Sequence, residues 1–209
     1  MRARIITISR LFGSGGSDVA RTVSAQLGWT LLDNAFIERI AAGLHATPAE
    51  VEAIDEKGPT LAERLADALA YGTAEVLSTP MHTPFRPGEG RLVEVTRQVI
   101  DDAVARGPIV VVGRGAQIRL EGRTDALHVL CSAPRDALVA RVAARESLGL
   151  AEAAQRVDEE NRRRAQFVRR HWDRDWLDAS HYHLCVDTSR VGIDGAAALV
   201  VEWARHAGA

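Results

Sequence analysis

The sequence predicts a single α/β domain whose strands are buried on both faces. Short β-branched apolar runs at Ile5–Ile8 and Pro108–Gly113 have the composition of strands inside such a sheet. Segments of helical periodicity alternate with these runs, and the glycine-rich turn Gly13–Gly16 joins the first strand to the first helix. With 209 residues, 46% of them hydrophobic, the chain can bury one core and carry a small helical insertion.

Each further element is predicted from local pattern. Strands are expected where short apolar runs end at polar or glycine residues. They are Ile5–Ile8, Trp29–Asp33, Pro108–Gly113, Ala126–Cys131 and His183–Val186. Helices are expected where apolar residues recur at helical spacing or where capping residues open such a run. They cover or begin at Ser17–Leu27, Asn34, Thr47, Thr60–Leu77, Arg91–Ala105, Pro134, Leu150–Trp172 and Asp194–Trp203.

The middle of the chain is predicted to be a helical insertion over the site, and not a second domain. Residues 78–90 carry three prolines and two glycines, so they are expected to form a loop. A long loop between helices is typical of a mobile flap or a binding element. The insertion is therefore predicted over residues 45–90.

The turn after the first strand is a candidate phosphate-binding loop, because backbone N–H groups and a helix N-terminus favour an anion there. Against the usual motif GxxxxGK followed by Ser or Thr, the segment RLFGSGGS matches at Gly15 and Ser17. Arg10 stands at the first glycine and Gly16 at the lysine. That lysine normally reaches the β- and γ-phosphates, so an arginine must supply the charge, with Arg10 and Arg21 as local candidates. The alternative is that the glycines form only a flexible turn.

Composition and charge limit the classes of partner and the cellular compartment that we expect for this protein. A net charge of −2 gives no general attraction to nucleic acid or to an anionic membrane. Cys131 and Cys185 lie in apolar strand-like runs, as expected of buried free thiols in a reducing compartment. The N-terminus has no signal-peptide pattern and no apolar run has membrane-spanning length, so a cytoplasmic protein is expected. The histidines show no metal-ligand spacing, so no zinc site is predicted, and His181 and His183 are expected to be surface and strand residues.

Two residues at predicted strand ends are candidate ligand contacts. Asp33 is the last residue of the second predicted strand, at the edge where ligands bind in doubly wound sheets. It could equally cap the following helix. Arg114 follows the Pro108–Gly113 strand with glycine on both sides, which lets a ligand approach its guanidinium closely. Its alternative is a surface arginine in a turn.

The helix predicted to end at Trp172 has an uneven distribution of arginine. At ~100° per residue, Arg162 and Arg169 fall on one flank of its apolar face and Arg164 on the other. Clustered arginines of this kind neutralise the charge on a transferring phosphoryl group. The alternative is a solvated helix whose arginines pair with Glu159 and Glu160.

A polar loop is predicted after the last strand. It consists of Asp187, Thr188, Ser189 and Arg190. Such a loop commonly lies beside a bound base, although local capping would explain the same residues.

Four segments together point to a family. They are ITISRLFGSGG, VVVGRGAQIRL, RRRAQFVRRHW with DWLDASHYHL, and VDTSRVGID, and they cover nearly the whole chain in order. On them the chain resembles the cytidylate kinase-like family, a branch of the P-loop nucleoside monophosphate kinases. The resemblance implies a three-layer α/β/α P-loop kinase fold with a five-stranded parallel sheet, a helical acceptor-binding insertion and an arginine-rich lid over residues 151–176. It also implies Mg-ATP, and thus Mg²⁺, with ATP as the phosphoryl donor.

The resemblance assigns roles to single positions. The implied donor-phosphate residues are Gly13, Ser14, Gly15, Gly16 and Ser17, with the Ser17 hydroxyl also reaching Mg²⁺. Asp33 and Arg114 would face the acceptor nucleotide. The lid would contribute Arg162, Arg164 and Arg169, and the loop Asp187–Arg190 would border the adenine.

The sequence departs from the well-characterised cytidylate kinases at two of these places. Gly16 stands where they have lysine, and Gly115 stands where an acidic residue usually follows the arginine. The expected function is phosphoryl transfer from ATP to a nucleoside monophosphate such as CMP. The alternatives are a nucleotide-binding sensor without turnover and a kinase for another small molecule. The expected partners are small-molecule nucleotides, not nucleic acid or membrane, and the sequence does not fix the oligomeric state. Gly16→Lys is not expected to restore a conventional enzyme, because Arg10 competes for the same space.

Overall fold

The computed structural model describes residues 3–33 and 89–206. The chain divides into two compact units, one made of residues 1–31 and 108–209 and the other of residues 32–107. The helices predicted to begin at Asn34, Thr47 and Thr60, and residues 78–88 of the predicted loop, lie outside the described residues. The insertion over 45–90 and the single-domain organisation therefore stay predictions.

The larger unit is built on a parallel sheet. Its strands are β1 (Ile5–Arg10), β2 (Thr30–Leu32), β3 (Ile109–Val112), β4 (Ala126–Ser132) and β5 (Leu184–Asp187), in the order β2-β3-β1-β4-β5. On β1, Ile5 pairs with Ile109 of β3 and with Ala126 of β4, both in parallel register. This sheet confirms the predicted five-stranded parallel architecture.

The boundaries of all five strands differ by one or two residues from the sequence prediction, as β1 and β5 illustrate. β1 continues past Ile8, because Ser9 and Arg10 also pair with β4. β5 begins at Leu184 and not at His183, and it extends to Asp187, which pairs with Ser132. Both corrections come from strand pairing, which a local apolar pattern cannot reveal.

The described residues also form helices. They are α1 (Gly16–Leu27), α2 (Glu89–Arg106), α3 (Ala116–Arg119), α4 (Arg135–Glu146), α5 (Leu150–Trp172) and α6 (Thr188–His206). α5 confirms the predicted range. α2, which belongs to the smaller unit, begins at Glu89, so residues 89 and 90 are helical and not part of a loop. The short helix α3 was not predicted.

The predicted polar loop after the last strand is wrong for residues 188–190, which form the first turn of α6. The helix begins there because the Asp187 carboxylate accepts hydrogen bonds from the Ser189 backbone N–H, at 2.8 Å, and from the Ser189 hydroxyl, at 2.6 Å. Non-helical torsions at Gly192 interrupt α6 and separate this turn from the part predicted at Asp194–Trp203.

The main core lies between one face of the sheet and two helices. Its members include Ile6 and Ile8 of β1, Val23 of α1 and Val200 of α6, each at most 1% exposed. Cys131 is buried in this cluster, as predicted. Cys185 is exposed, which corrects the prediction that both thiols are buried. β5 is an edge strand of the sheet, and its alternate side chains face solvent.

The opposite face of β1 carries a buried polar contact. Thr7 Oγ1 lies 2.9 Å from His128 Nδ1, and the ring of His128 stacks on that of His183 with centroids 4.9 Å apart. His128 is only 4% exposed. Burial, reinforced by repulsion from His183, lowers the pKa of His128 to about 4.

We expect this buried imidazole to make stability depend on pH. In the unfolded chain His128 titrates near its ordinary pKa, so between the two values the unfolded state binds more protons. Stability is therefore complete above the unfolded pKa and falls by up to about 3 kcal/mol as the pH drops toward 4. Urea unfolding of the wild type and of His128→Gln across this range measures the effect, and the variant should show a flatter profile. His206→Gln, at an exposed histidine of α6, is the matched control. Equal slopes for wild type and His128→Gln would refute the expectation.

Candidate active site

The glycine loop has the backbone geometry of an anion-binding turn. Gly13 and Gly15 adopt positive φ, +87° and +76°, which glycine tolerates without a Cβ penalty. Gly15 is the N-cap of α1, so Gly16 and Ser17 occupy the first turn, where backbone N–H groups have no helical acceptor. The loop thus directs amides and the positive end of the α1 dipole to one place at the carboxyl end of β1.

Hydrogen bonds from two helices, α4 and α6, hold the loop in place. The carbonyl oxygen of Ser14 accepts hydrogen bonds from Arg141 Nη1, at 3.0 Å, and from the Thr188 hydroxyl, at 2.6 Å. Arg141 also donates to the Thr188 carbonyl at 2.7 Å. Thr188, a predicted adenine neighbour, is fully buried here, so its hydroxyl holds the loop in place. Arg141 was not singled out from the sequence.

Phe12, within the loop, is surrounded by guanidinium groups. The Cζ atoms of Arg145, Arg164 and Arg156 lie 5.2, 5.4 and 5.8 Å from the centroid of its ring. These distances are within the range of cation–π attraction. The backbone N–H of Phe12 donates to Asn161 Oδ1 at 2.8 Å, which ties the loop to α5. Sequence reasoning missed Phe12, Arg145, Arg156 and Asn161.

Of the three predicted lid arginines, the structure brings Arg164 to the loop. Its Nη1 donates to the carbonyl oxygen of Arg10 at 2.7 Å, and burial lowers its pKa from the ordinary arginine value. Arg162 is exposed. Arg169 is also exposed and lies 3.3 Å from Asp173. Of the two flanks that the helical phase predicts for α5, the one that carries Arg164 therefore lies against the loop.

The two arginines predicted to replace the loop lysine have different surroundings. Arg21 is exposed and pairs with Asp18 on the same helix. Arg10 is half-buried at the end of β1, with its stem beside Gly16 and its guanidinium beside Gly113. Only Arg10 of this pair runs along the loop.

The turn after β3 is strained. Gly113, Arg114 and Gly115 adopt φ of 72°, 58° and 68°, so three successive residues are left-handed, and Gly115 is the N-cap of α3. A non-glycine residue in this region costs roughly 1–2 kcal/mol, and such strain concentrates at functional sites. Asp33, the other acceptor candidate, is half-buried and belongs to the smaller unit, so its acceptor role stays a prediction.

The residues after β5 lie at the same edge of the sheet, because parallel strands end together. Ser189 and Arg190 are exposed there, and Asp187 is half-buried. The hydrogen bond from the Ser189 hydroxyl is the main cause that lowers the pKa of the Asp187 carboxyl.

Among residues 3–33 and 89–206, no group of three or more His, Cys, Asp or Glu side chains is arranged to hold a metal ion. Within the same ranges, no helix combines the length and apolar composition needed to cross a bilayer.

The fold and the loop define a P-loop kinase α/β protein. In agreement, shikimate kinase from Bacteroides thetaiotaomicron superposes with a TM-score of 0.52 at 14% identity, covering 95% of this chain and 96% of that one. Shikimate kinase from Acinetobacter baumannii, solved with shikimate, gives 0.51 at 16% identity, covering 96% and 92%. An uncharacterized protein from Eubacterium ventriosum gives 0.69 at 17% identity, covering 96% and 97%.

The chain belongs to the cytidylate kinase-like family, whose model matches residues 5–190. A cytidylate kinase from Aeropyrum pernix is 33% identical over 117 residues, which is 56% of this chain and 66% of that protein. The alignment thus spans slightly less than two thirds of the relative. The family match and the fold agree with each other.

Proposed function

We propose that this protein transfers the γ-phosphoryl group of ATP to a nucleoside monophosphate, with CMP as the first acceptor to test. The observation that carries the proposal is the position of Arg164, whose guanidinium is hydrogen-bonded to the backbone of the phosphate loop. An arginine from a second element beside loop amides is the arrangement that phosphoryl transfer needs, since charge develops on the phosphoryl oxygens. The relative from Aeropyrum pernix, named cytidylate kinase, supports CMP as the first choice.

In the proposed step, an oxygen of the acceptor phosphate forms a bond to the γ-phosphorus while the bond from that phosphorus to the β–γ bridging oxygen breaks. The electron pair of the broken bond leaves with ADP. The chain's contribution is positioning and electrostatics. The loop amides of Gly13, Gly15, Gly16 and Ser17 hold the donor phosphates, whereas the buried Ser14 donates its backbone N–H to the Leu11 carbonyl at 3.1 Å. Arg164 neutralises the phosphate charge as the γ-phosphoryl group moves.

The donor is proposed to bind as Mg-ATP. The hydroxyl of Ser17 lies in the first turn of α1, and a neutral oxygen ligand suits Mg²⁺, which commonly keeps water and phosphate oxygens as its other ligands. When bound, the ion neutralises phosphate charge. In the same proposal Arg114 contacts the acceptor, Arg162 and Arg169 join from the lid, and Asp187, Ser189 and Arg190 border the adenine, whereas the buried Thr188 does not.

The test is acceptor-dependent release of ADP. Purified protein with Mg-ATP is offered the four ribonucleoside monophosphates, dCMP and a set of small hydroxyl compounds that includes shikimate, and products are identified by phosphorus NMR. We expect CMP to stimulate ADP release above the ATPase background and to yield CDP. ATP binding without turnover of any acceptor would favour the sensor. Turnover of a hydroxyl compound alone would favour a kinase for another small molecule.

A further inference from the structure

We propose that Arg10 replaces the missing lysine of the phosphate loop and that Arg10 and Gly16 are a reciprocal exchange between two motif positions. The usual motif has glycine at the first of these positions and lysine at the second, and this chain has arginine first and glycine second. The inference rests on the proposed function, because it names the group that binds the donor phosphates.

The first line of support is the space around Gly16. A Cβ atom built on Gly16 would lie 2.5 Å from Arg10 Cβ, 3.2 Å from Arg10 Cγ and 3.0 Å from Cys131 Cβ. Carbon atoms that are not bonded pack at about 3.5–4.0 Å, so this space cannot hold a side chain. The stem of Arg10 therefore begins where the stem of a lysine at position 16 would begin.

The second line of support is the course of the Arg10 side chain. At its far end the guanidinium lies against Gly113, where a built Cβ atom would collide with Nη1 and lie 3.2 Å from Cζ. Gly113 directly follows β3, the strand that pairs with β1. The side chain thus crosses between the carboxyl ends of two central strands, and a glycine leaves room for it at each end.

The chemistry of the arginine side chain suits the role of the missing lysine. Guanidinium stays charged even when half-buried, and its fork of donors can bind two phosphate oxygens together. Arg21, the other local candidate, has 60% of its side chain exposed and is paired with Asp18. Arg164 comes from α5 and binds the Arg10 carbonyl, so it acts from a different element than the strand that carries Arg10.

The decisive experiment is a motif swap. Arg10→Met keeps most of the stem but removes the charge, Gly16→Lys adds the lysine, and the double variant Arg10→Gly/Gly16→Lys creates the conventional sequence GLFGSGKS. Each protein is measured for melting temperature, for ATP and AMP affinity by calorimetry, and for kcat with the acceptor found for the wild type. The ratio of ATP to AMP affinity isolates the β- and γ-phosphates and would not change if Arg10 were only structural.

We expect Arg10→Met to lower kcat by about 10²–10³-fold and to reduce the ATP-to-AMP affinity ratio at least about tenfold. Gly16→Lys alone should lose nucleotide binding, because its stem collides with Arg10. The double variant should have a kcat at least about tenfold higher than that of the worse single variant. If the double variant does not fold, Arg10→Lys keeps a charge on the same strand and should retain more ATP preference than Arg10→Met.

An unchanged ATP-to-AMP ratio in Arg10→Met would overturn the inference. So would a folded double variant no better than the worse single variant. Failure of the proposed function gives a different result, since the wild type itself would then turn over no acceptor. In that case the affinity ratio still tests the role of Arg10 in ATP binding.

Discussion

Replacing Arg164 by alanine is expected to lower kcat by about two to three orders of magnitude, with a smaller change in the KM for ATP. Arg164 is the predicted lid arginine that contacts the phosphate loop, through the Arg10 carbonyl at 2.7 Å. It also lies over the ring of Phe12. A charge held there contributes most when the γ-phosphoryl group is between donor and acceptor, so its loss should act on kcat more than on binding.

The matched control for this prediction is Arg163→Ala. Arg163 is the next residue on α5, but it is exposed and pairs with Glu159 at 2.6 Å and Glu160 at 3.2 Å. Its removal should leave kcat within about twofold, because exposed ion pairs contribute little. Arg164→Lys should fall between wild type and Arg164→Ala, since it keeps charge but loses the planar fork. Steady-state kinetics of the three variants tests the role of Arg164. Equal kcat values for Arg163→Ala and Arg164→Ala would contradict that role.

The Phe12 ring helps to stabilise several guanidinium groups close together beside the loop. Three guanidiniums around one ring repel one another, and the negative face of the ring offsets part of that repulsion. Glu146 adds a counter-charge, 2.8 Å from Arg145 and 3.2 Å from Arg156. Phe12 also packs against the hydrophobic cluster formed by residues of α4 and α5. One residue therefore connects the loop, the two helices and their arginines.

Local patterns were sufficient for the elements that carry the site. The order of strand, glycine loop and helix is encoded by neighbouring residues, and α5 ends at Trp172 as its periodicity predicts. At the start of α6 the Asp187 cap is a local signal, but the buried contact of Thr188 with the loop, 174 positions away, could not be predicted in this way. A four-residue helix such as α3 carries no periodicity to detect.

The site itself was predictable only in part. Helical phase separates Arg162 from Arg164 but cannot say which flank faces the loop, because that depends on how α5 packs against α4. Arg141 and Arg145 are four positions apart on α4, so one face of that helix carries both, and this spacing was the available signal. No short-range pattern marks Phe12, since its three arginines come from two other elements.

Replacing Gly115 by alanine should disturb both the turn that carries Arg114 and the end of α5. Gly115 has φ +68°, and a Cβ atom there would lie 2.9 Å from Cη2 and Cζ3 of Trp172. The left-handed backbone and the overpacking together are expected to cost about 2–4 kcal/mol of unfolding free energy. The same crowding explains why an acidic side chain cannot follow Arg114 here, and the displaced turn should raise the KM of the acceptor.

Gly122→Ala separates the two contributions. Gly122 also has a positive φ, +78°, but nothing lies within 4 Å of its built Cβ atom, so only the backbone cost of roughly 1–2 kcal/mol applies. Trp172→Leu in the Gly115→Ala background removes the overlapping ring atoms and should recover the steric part, measured as a double-mutant cycle by urea unfolding. A Gly115→Ala cost equal to that of Gly122→Ala would mean that the ring moves aside freely, and Trp172 would then not fix the turn.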